Sequence, residues 1–107
     1  MNFETTNTFD NQAKKLSKKY PQLKKDLINF IDNYEKNHKL SISIKNNIYK
    51  TRIKNSNKNR GKSAGYRVYY YVEIQENVYF LTIYDKSEIE MIDENILFEI
   101  INNEVFN

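Results

Sequence analysis

Four side chains in the second half of the chain have the chemistry to work on a phosphodiester: Lys54, Arg67, Tyr84 and Lys86. Cutting RNA without a metal requires the 2′-hydroxyl to attack its own phosphate. That step needs a base for the hydroxyl proton, an acid for the leaving 5′-oxygen, and cations to hold the phosphoryl charge. Histidine is the usual base, but the single histidine, His38, is badly placed at the end of a helix. A lysine can substitute where clustered cations disfavour its protonated form, which makes Lys54, beside Arg52 and Arg67, the candidate base. Arg67 is the natural clamp on the phosphoryl oxygens, because a guanidinium is always charged and forks onto two of them. Tyr84 and Lys86 close a strand from which they could reach the leaving group from the side.

Further groups suit binding. Lys50, Arg52 and Lys54 fall on one face of a strand, and Arg67, Tyr69 and Tyr71 on one face of the next. Cross-strand neighbours stand ~5 Å apart, so these six form one patch if the strands pair. The intervening loop, NSNKNRGKSAG, adds Lys58, Arg60 and Lys62, and its Asn, Ser and Gly content makes it mobile and turn-forming. Cations interleaved with tyrosines suit single-stranded RNA, whose bases stack on rings while its phosphates meet Lys and Arg. Basic, Tyr-rich sheets also occur in proteins that only bind, and Arg67 could instead close an ion pair with Glu73 or Glu88. The residues by themselves point to an RNA-binding face with catalytic parts and leave turnover open.

The elements that must position these groups can be read from periodicity. Residues 2–6 alternate weakly as a strand. Thr8 then caps a helix on which Phe9, Ala13, Leu16 and Tyr20 recur at helical spacing, with Lys14, Lys15, Lys18 and Lys19 pointing away, either as a solvated face or toward nucleic acid. After Pro21 a second helix carries Leu23, Leu27, Phe30, Ile31 and Tyr34, ending near His38, which has a structural role there. Residues 39–47 are either a connector or an edge strand. Strands follow at 48–54, 66–74 and 78–84, the last two joined by a hairpin-length break. A final helix starts at Ser87 or Asp93, each a cap, and runs to about Asn102. The expected class is α+β in the order β-α-α-β-β-β-α. The sheet is antiparallel, with the N-terminal helical hairpin and the C-terminal helix on one face and the other face partly open.

With 107 residues the chain is one domain, residues 1–107, with room for a single compact core. It has no cysteine, which excludes disulfides, thiolate catalysis and cysteine-built metal sites, and one histidine cannot anchor a metal of the usual type. No apolar run approaches the ~20 residues that span a bilayer, and MNFETTNTF lacks a signal-peptide pattern. The expectation is a cytoplasmic protein without a cofactor, metal or membrane. The net charge of +3 hides an asymmetry. Ten Lys or Arg and no acid lie between Lys36 and Val72, whereas nine acids and only Lys86 follow from Glu73. Either the chain carries separate cationic and acidic surfaces, or the two segments pair within the fold.

Over Gly61–Tyr71 and Tyr79–Glu88, in the stretch GKSAGYRVYYYVE…NVYFLTIYDKSEIEMI, the sequence resembles the RelE/ParE toxin superfamily, in particular its HigB-like branch. Members carry a GKxGGxRVIYY-type segment followed by LLTIYxKxE, with Ala64 here where a second glycine is common. The resemblance implies a RelE-like βααβββα fold and a toxin of a type II toxin–antitoxin pair. Such toxins enter the A site of the 30S ribosomal subunit and cleave mRNA there, and a protein antitoxin neutralises them. By position, Arg67 matches the strand arginine of the family, Lys86 the basic residue of LTIYxK, and Lys54 the base on the preceding strand. Glu88 is a motif position that a cap or ion pair explains as well as catalysis does. The antitoxin would cover the basic patch with acidic residues or add a strand to the sheet edge. ParE-type members share the fold but inhibit DNA gyrase without cleaving anything, and a plain RNA-binding protein is the third reading.

Overall fold

The computed structural model describes residues 1–59, 61, 64–75, 77–88 and 91–106. Strand β1 (Asn2–Thr5) leads into helices α1 (Asn7–Lys19), α2 (Leu23–Asp32) and α3 (Tyr34–Lys39). Strands β2 (Ile42–Lys45), β3 (Ile48–Ile53), β4 (Tyr66–Val72) and β5 (Asn77–Asp85) follow, then α4 (Glu94–Ile100), which continues as a π-helical turn, Ile101–Val105. The five strands form one sheet in the order β1-β5-β4-β3-β2. This is an α+β fold. The sheet is mixed rather than antiparallel, because β1 runs parallel to β5.

Two helix boundaries differ from the sequence reading, and two alternatives it left open are resolved, each for a local reason. Thr6, not Thr8, caps α1: its hydroxyl accepts from the Phe9 amide at 3.1 Å and donates to the Leu81 carbonyl at 2.9 Å. Thr8 instead gives its amide and hydroxyl to the two oxygens of Glu104, at 2.8 and 2.5 Å, so a carboxylate from the C-terminal turn sits on the start of α1. The second predicted helix breaks at Asn33 into α2 and α3. The ambiguous stretch 39–47 holds the edge strand β2, and Asn46 and Asn47 make its turn into β3 with φ of 49° and 66°, a conformation asparagine tolerates. Of the two predicted starts for the last helix, Asp93 is used, its side chain accepting from Asn95 N at 2.8 Å.

The larger difference is where the last helix goes. On one face of the sheet, α1, α2 and α3 pack Phe9, Leu16, Leu23, Phe30 and Tyr34 onto Val68, Tyr70, Phe80 and their neighbours. The rings of Phe30, Tyr34, Tyr70 and Phe80 meet edge-on at 6.0–6.2 Å. On the opposite face, Leu97, Ile100 and Ile101 of the C-terminal helix pack on Ile48, Tyr69, Leu81 and Tyr84. The helices therefore sandwich the sheet, and the face expected to stay open is roofed along part of its length. The apolar stripe of α4 requires a partner surface but does not say which side of the sheet supplies it.

The β4–β5 ladder contains one irregularity with consequences. Tyr69 pairs with Thr82 and Tyr70 with Phe80, so Leu81 is an extra residue. Gln12 of α1 holds the bulge, its Oε1 accepting from Ile83 N at 2.9 Å and Thr82 Oγ1 at 2.7 Å. Strict alternation from Phe80 would put Tyr84 against α1. The bulge reverses the phase, so Ile83 joins the α1 side and Tyr84 joins the α4 side.

Candidate nucleic-acid interface and catalytic cluster

The registers bring the predicted cations together at one end of the sheet. Arg52 of β3 stands opposite Arg67 of β4, which stands opposite Tyr84 of β5, a transverse row on the α4 face. The next row is Ile53, Tyr66 and Asp85. One step further, just outside the strands, lie Lys54 and Lys86 on either side of Gly65, and the Lys86 amide donates to the Gly65 carbonyl at 3.2 Å. A methyl group at Gly65 would lie 2.0 Å from the Ile53 carbonyl oxygen and 3.0 Å from Asn55 N. Only glycine lets the chain re-enter β4 this close to the end of β3. Lys54, Lys86 and Arg52 are exposed.

Arg67 is 5 % exposed and Tyr84 3 %. The Arg67 Nη1 donates to the carbonyls of Gly65 and Tyr66, both at 3.4 Å. Burial lowers the Arg67 pKa from its ordinary value and the neighbouring Arg52 lowers it further, against the pull of Tyr84 and Asp85. Burial pushes the Tyr84 phenol up, and Tyr69 beside it adds to the effect, so Tyr84 is held as a protonated donor. The two tyrosine rings stand 6.3 Å apart.

The predicted binding residues divide. Lys50 shares the face with Arg67 and lies opposite Tyr69 in the ladder, its Nζ 5.6 Å from the Tyr69 ring centre. Tyr69 itself is 2 % exposed beneath α4, so its ring has no free face for a base. Tyr71 is half-buried, packed against Tyr79 and, at 5.7 Å, against Phe106. Lys58 is turned inward. Its Nζ lies 2.7 Å from Asp85 Oδ1 and 3.0 Å from the Ala64 carbonyl, over the Tyr20 ring. Arg60 and Lys62 lie outside the described residues. The expected mobility of this loop is also corrected at its start. Ser56 gives its amide and hydroxyl to the buried Asp26, at 2.9 and 3.1 Å, and Asn55 receives the Asn57 amide at 2.9 Å.

Two features went unread in the sequence. Asp85 is 1 % exposed and is the counter-ion of Lys58. Burial pushes its carboxyl up, but Lys58 and the Ser87 hydroxyl and amide outweigh burial and hold it below the ordinary value. Glu88 then accepts the Asp85 amide at 3.1 Å, a structural use of that motif position. The other feature is a relay at the far edge of the sheet. Ser41 Oγ donates to the Asn37 carbonyl, Tyr70 OH donates to Ser41 Oγ at 2.8 Å, and the Tyr70 oxygen faces His38 Nδ1 at 2.6 Å. This order of donors assigns the Nδ1–H tautomer to His38, in keeping with its expected structural role.

Among the described residues no group of three His, Cys, Asp or Glu is placed to hold a metal ion, and no helix is long and apolar enough to cross a membrane. No family model and no curated protein matches the chain.

Proposed function

We propose that this chain is a ribosome-dependent mRNA endoribonuclease, the toxin of a type II toxin–antitoxin pair of RelE/ParE type. The observation that carries this reading is the Arg52–Arg67 pair. Arg52 and Arg67 stand opposite each other across the ladder, close enough that Arg52 lowers the Arg67 pKa, and an anion held at this pair would be favoured by both cations. A phosphodiester is such an anion, and the groups around the pair are those its cleavage needs. Arg67, entered from the exposed Arg52 side, would hold the charge that develops on the phosphoryl oxygens. Lys54 would take the 2′-hydroxyl proton as the 2′-oxygen bonds to phosphorus. The bond to the 5′-oxygen breaks, and Tyr84 or Lys86 returns a proton to it, leaving a 2′,3′-cyclic phosphate and a 5′-hydroxyl. Lys50 and Arg52 would track the RNA backbone toward this point, and the ribosomal A site would present it.

A second reading has an observation of its own. Arg67 and Tyr84 are almost wholly enclosed, and Arg67 reaches the carbonyls of Gly65 and Tyr66. That suits a structural arginine in a non-catalytic, ParE-like toxin that binds gyrase. Primer extension on a reporter mRNA in a translation extract separates the two. The nuclease reading expects cuts that require translating ribosomes and that vanish with Arg67→Lys and with the surface change Arg52→Ala. Intact mRNA from a protein that still arrests growth overturns it and leads to a gyrase supercoiling assay.

A further inference from the structure

Asp26, in the first turn of α2, is a carboxylate that the fold keeps almost out of water, 9 % exposed. Its Oδ2 accepts the amide and hydroxyl of Ser56, at 2.9 and 3.1 Å. Among the described residues the salt bridge is Lys58–Asp85, and no cation forms one with Asp26. A charge so placed is costly unless its surroundings compensate it.

Beside Asp26 lies a hollow of about 90 Å³ whose wall also carries Arg52, Ile53 and Lys54. Arg52 and Lys54 are the cations of that wall, and both are exposed. Because Asp26 is nearly out of water, its field is screened less than that of a surface acid. It reaches Tyr66 as well, where burial pushes the phenol up and Asp26 adds to the effect. In the free chain a negative charge here also offsets the like charge of Arg67, which faces Arg52 across the ladder.

We propose that Asp26 is the internal counter-ion of Arg52 and Lys54, an anion with which an incoming phosphate must compete for both. The competition rests on the reading of Arg52 and Lys54 as RNA contacts, whereas the pairing does not. Asp26 touches no reacting atom in the proposed chemistry, so it is a positioning residue.

Asp26→Asn removes the charge but keeps an oxygen for Ser56, so the two uses of Asp26 separate. The first readout needs no RNA. It is a pair of double-mutant cycles followed by urea midpoint. Arg52→Gln, which also relieves the repulsion from Arg67, should raise the midpoint more in the Asp26→Asn background than in the parent chain. Lys54→Gln should lower it in the parent chain and lower it less in that background. Additive shifts in both cycles overturn the proposal, whatever RNA does.

The second readout is the anisotropy of a fluorescein-labelled oligouridylate with the full chain. Asp26→Asn should bind it on the order of fivefold more tightly, about 1 kcal/mol, where a purely structural Asp26 predicts equal or weaker binding. Adding Arg52→Gln and Lys54→Gln should abolish the gain. Asp32→Asn, which neutralises an exposed acid of the same helix, should not reproduce it. Unchanged or weaker RNA binding by Asp26→Asn overturns the proposal. Coupled midpoints with no RNA binding by any variant keep the counter-ion and overturn the nuclease reading instead.

Discussion

Arg52 and Arg67 oppose each other across the β3–β4 ladder, with Arg67 buried and Arg52 exposed. Like charges in such positions destabilise a sheet by several tenths of a kcal/mol, roughly 0.2–1. Arg52→Gln should therefore raise the unfolding free energy by about 0.5 kcal/mol while weakening RNA binding. The two effects are read separately, by urea denaturation and by anisotropy with a labelled single-stranded RNA. A variant that loses stability and keeps RNA affinity would remove the case for an anion between these residues.

Tyr84 meets Arg67 only because Leu81 is an extra residue in β5, and Gln12 holds that bulge through two hydrogen bonds. Gln12 touches no reacting atom in the proposed chemistry, so it is a positioning residue. Gln12→Leu strands the Ile83 amide and the Thr82 hydroxyl, at a cost of about 1–3 kcal/mol. Cleavage should fall with kcat rather than KM, and Gln12→Glu, which keeps the accepting oxygen, should rescue most of it. Equal loss in both variants would mean that the bulge does not set the activity.

These two relationships show what periodicity could reveal and where it stopped. Alternation within YKTRIK and YRVYYYV correctly put Lys50, Arg52, Arg67, Tyr69 and Tyr71 on one face, because the other side of each strand carries core residues, Tyr49 and Ile53 on β3 and Tyr66, Val68 and Tyr70 on β4. The run YFLTIYD contains no glycine or turn residue to mark Leu81 as extra, so the phase change ahead of Tyr84 is silent. Tyr69 looked available because an amphipathic helix does not announce which face of a sheet it will cover. Lys58 looked solvated because its partner lies 27 residues away and ends an apolar strand. The charge asymmetry of the chain thus has two outcomes: Lys58 and Asp85 pair within the fold, while Arg52 and Lys54 remain on the surface.

Asp85 ties Lys58 to the end of β5, and its carboxyl is depressed in the folded chain. A carboxyl whose folded pKa lies below its unfolded one contributes stability above the unfolded value, about 4, and loses it as pH falls through the folded value. Thermal unfolding should thus show a stability loss below about pH 4 that Asp85→Asn diminishes. Lys58→Met leaves the buried Asp85 carboxylate without its salt-bridge partner and should cost about 2–3 kcal/mol at pH 7. The double variant Lys58→Met/Asp85→Asn should recover part of that cost. A fully additive double variant would mean that the pair is not coupled.

His38 gives a second, separate pH window. Its ring lies 5.2 Å from that of Tyr34 and 4.5 Å from that of Tyr49, and its Nδ1 faces Tyr70. Burial lowers its pKa from the ordinary 6.5, so the fold favours the neutral ring. A base whose folded pKa is depressed contributes stability above its unfolded value and loses it as pH falls through the folded one. Stability should accordingly decline below about pH 6.5, with unfolding accompanied by uptake of up to about one proton. His38→Gln should flatten the profile between that point and the Asp85 transition, while leaving the Asp85 transition in place. The relevant measurement is the dependence of the urea midpoint on pH, with chemical shifts of the His38 ring followed in parallel. A ring that titrates above 6.5 in the folded protein would reverse the sign of the slope and with it the assignment of a neutral, Tyr70-bound His38.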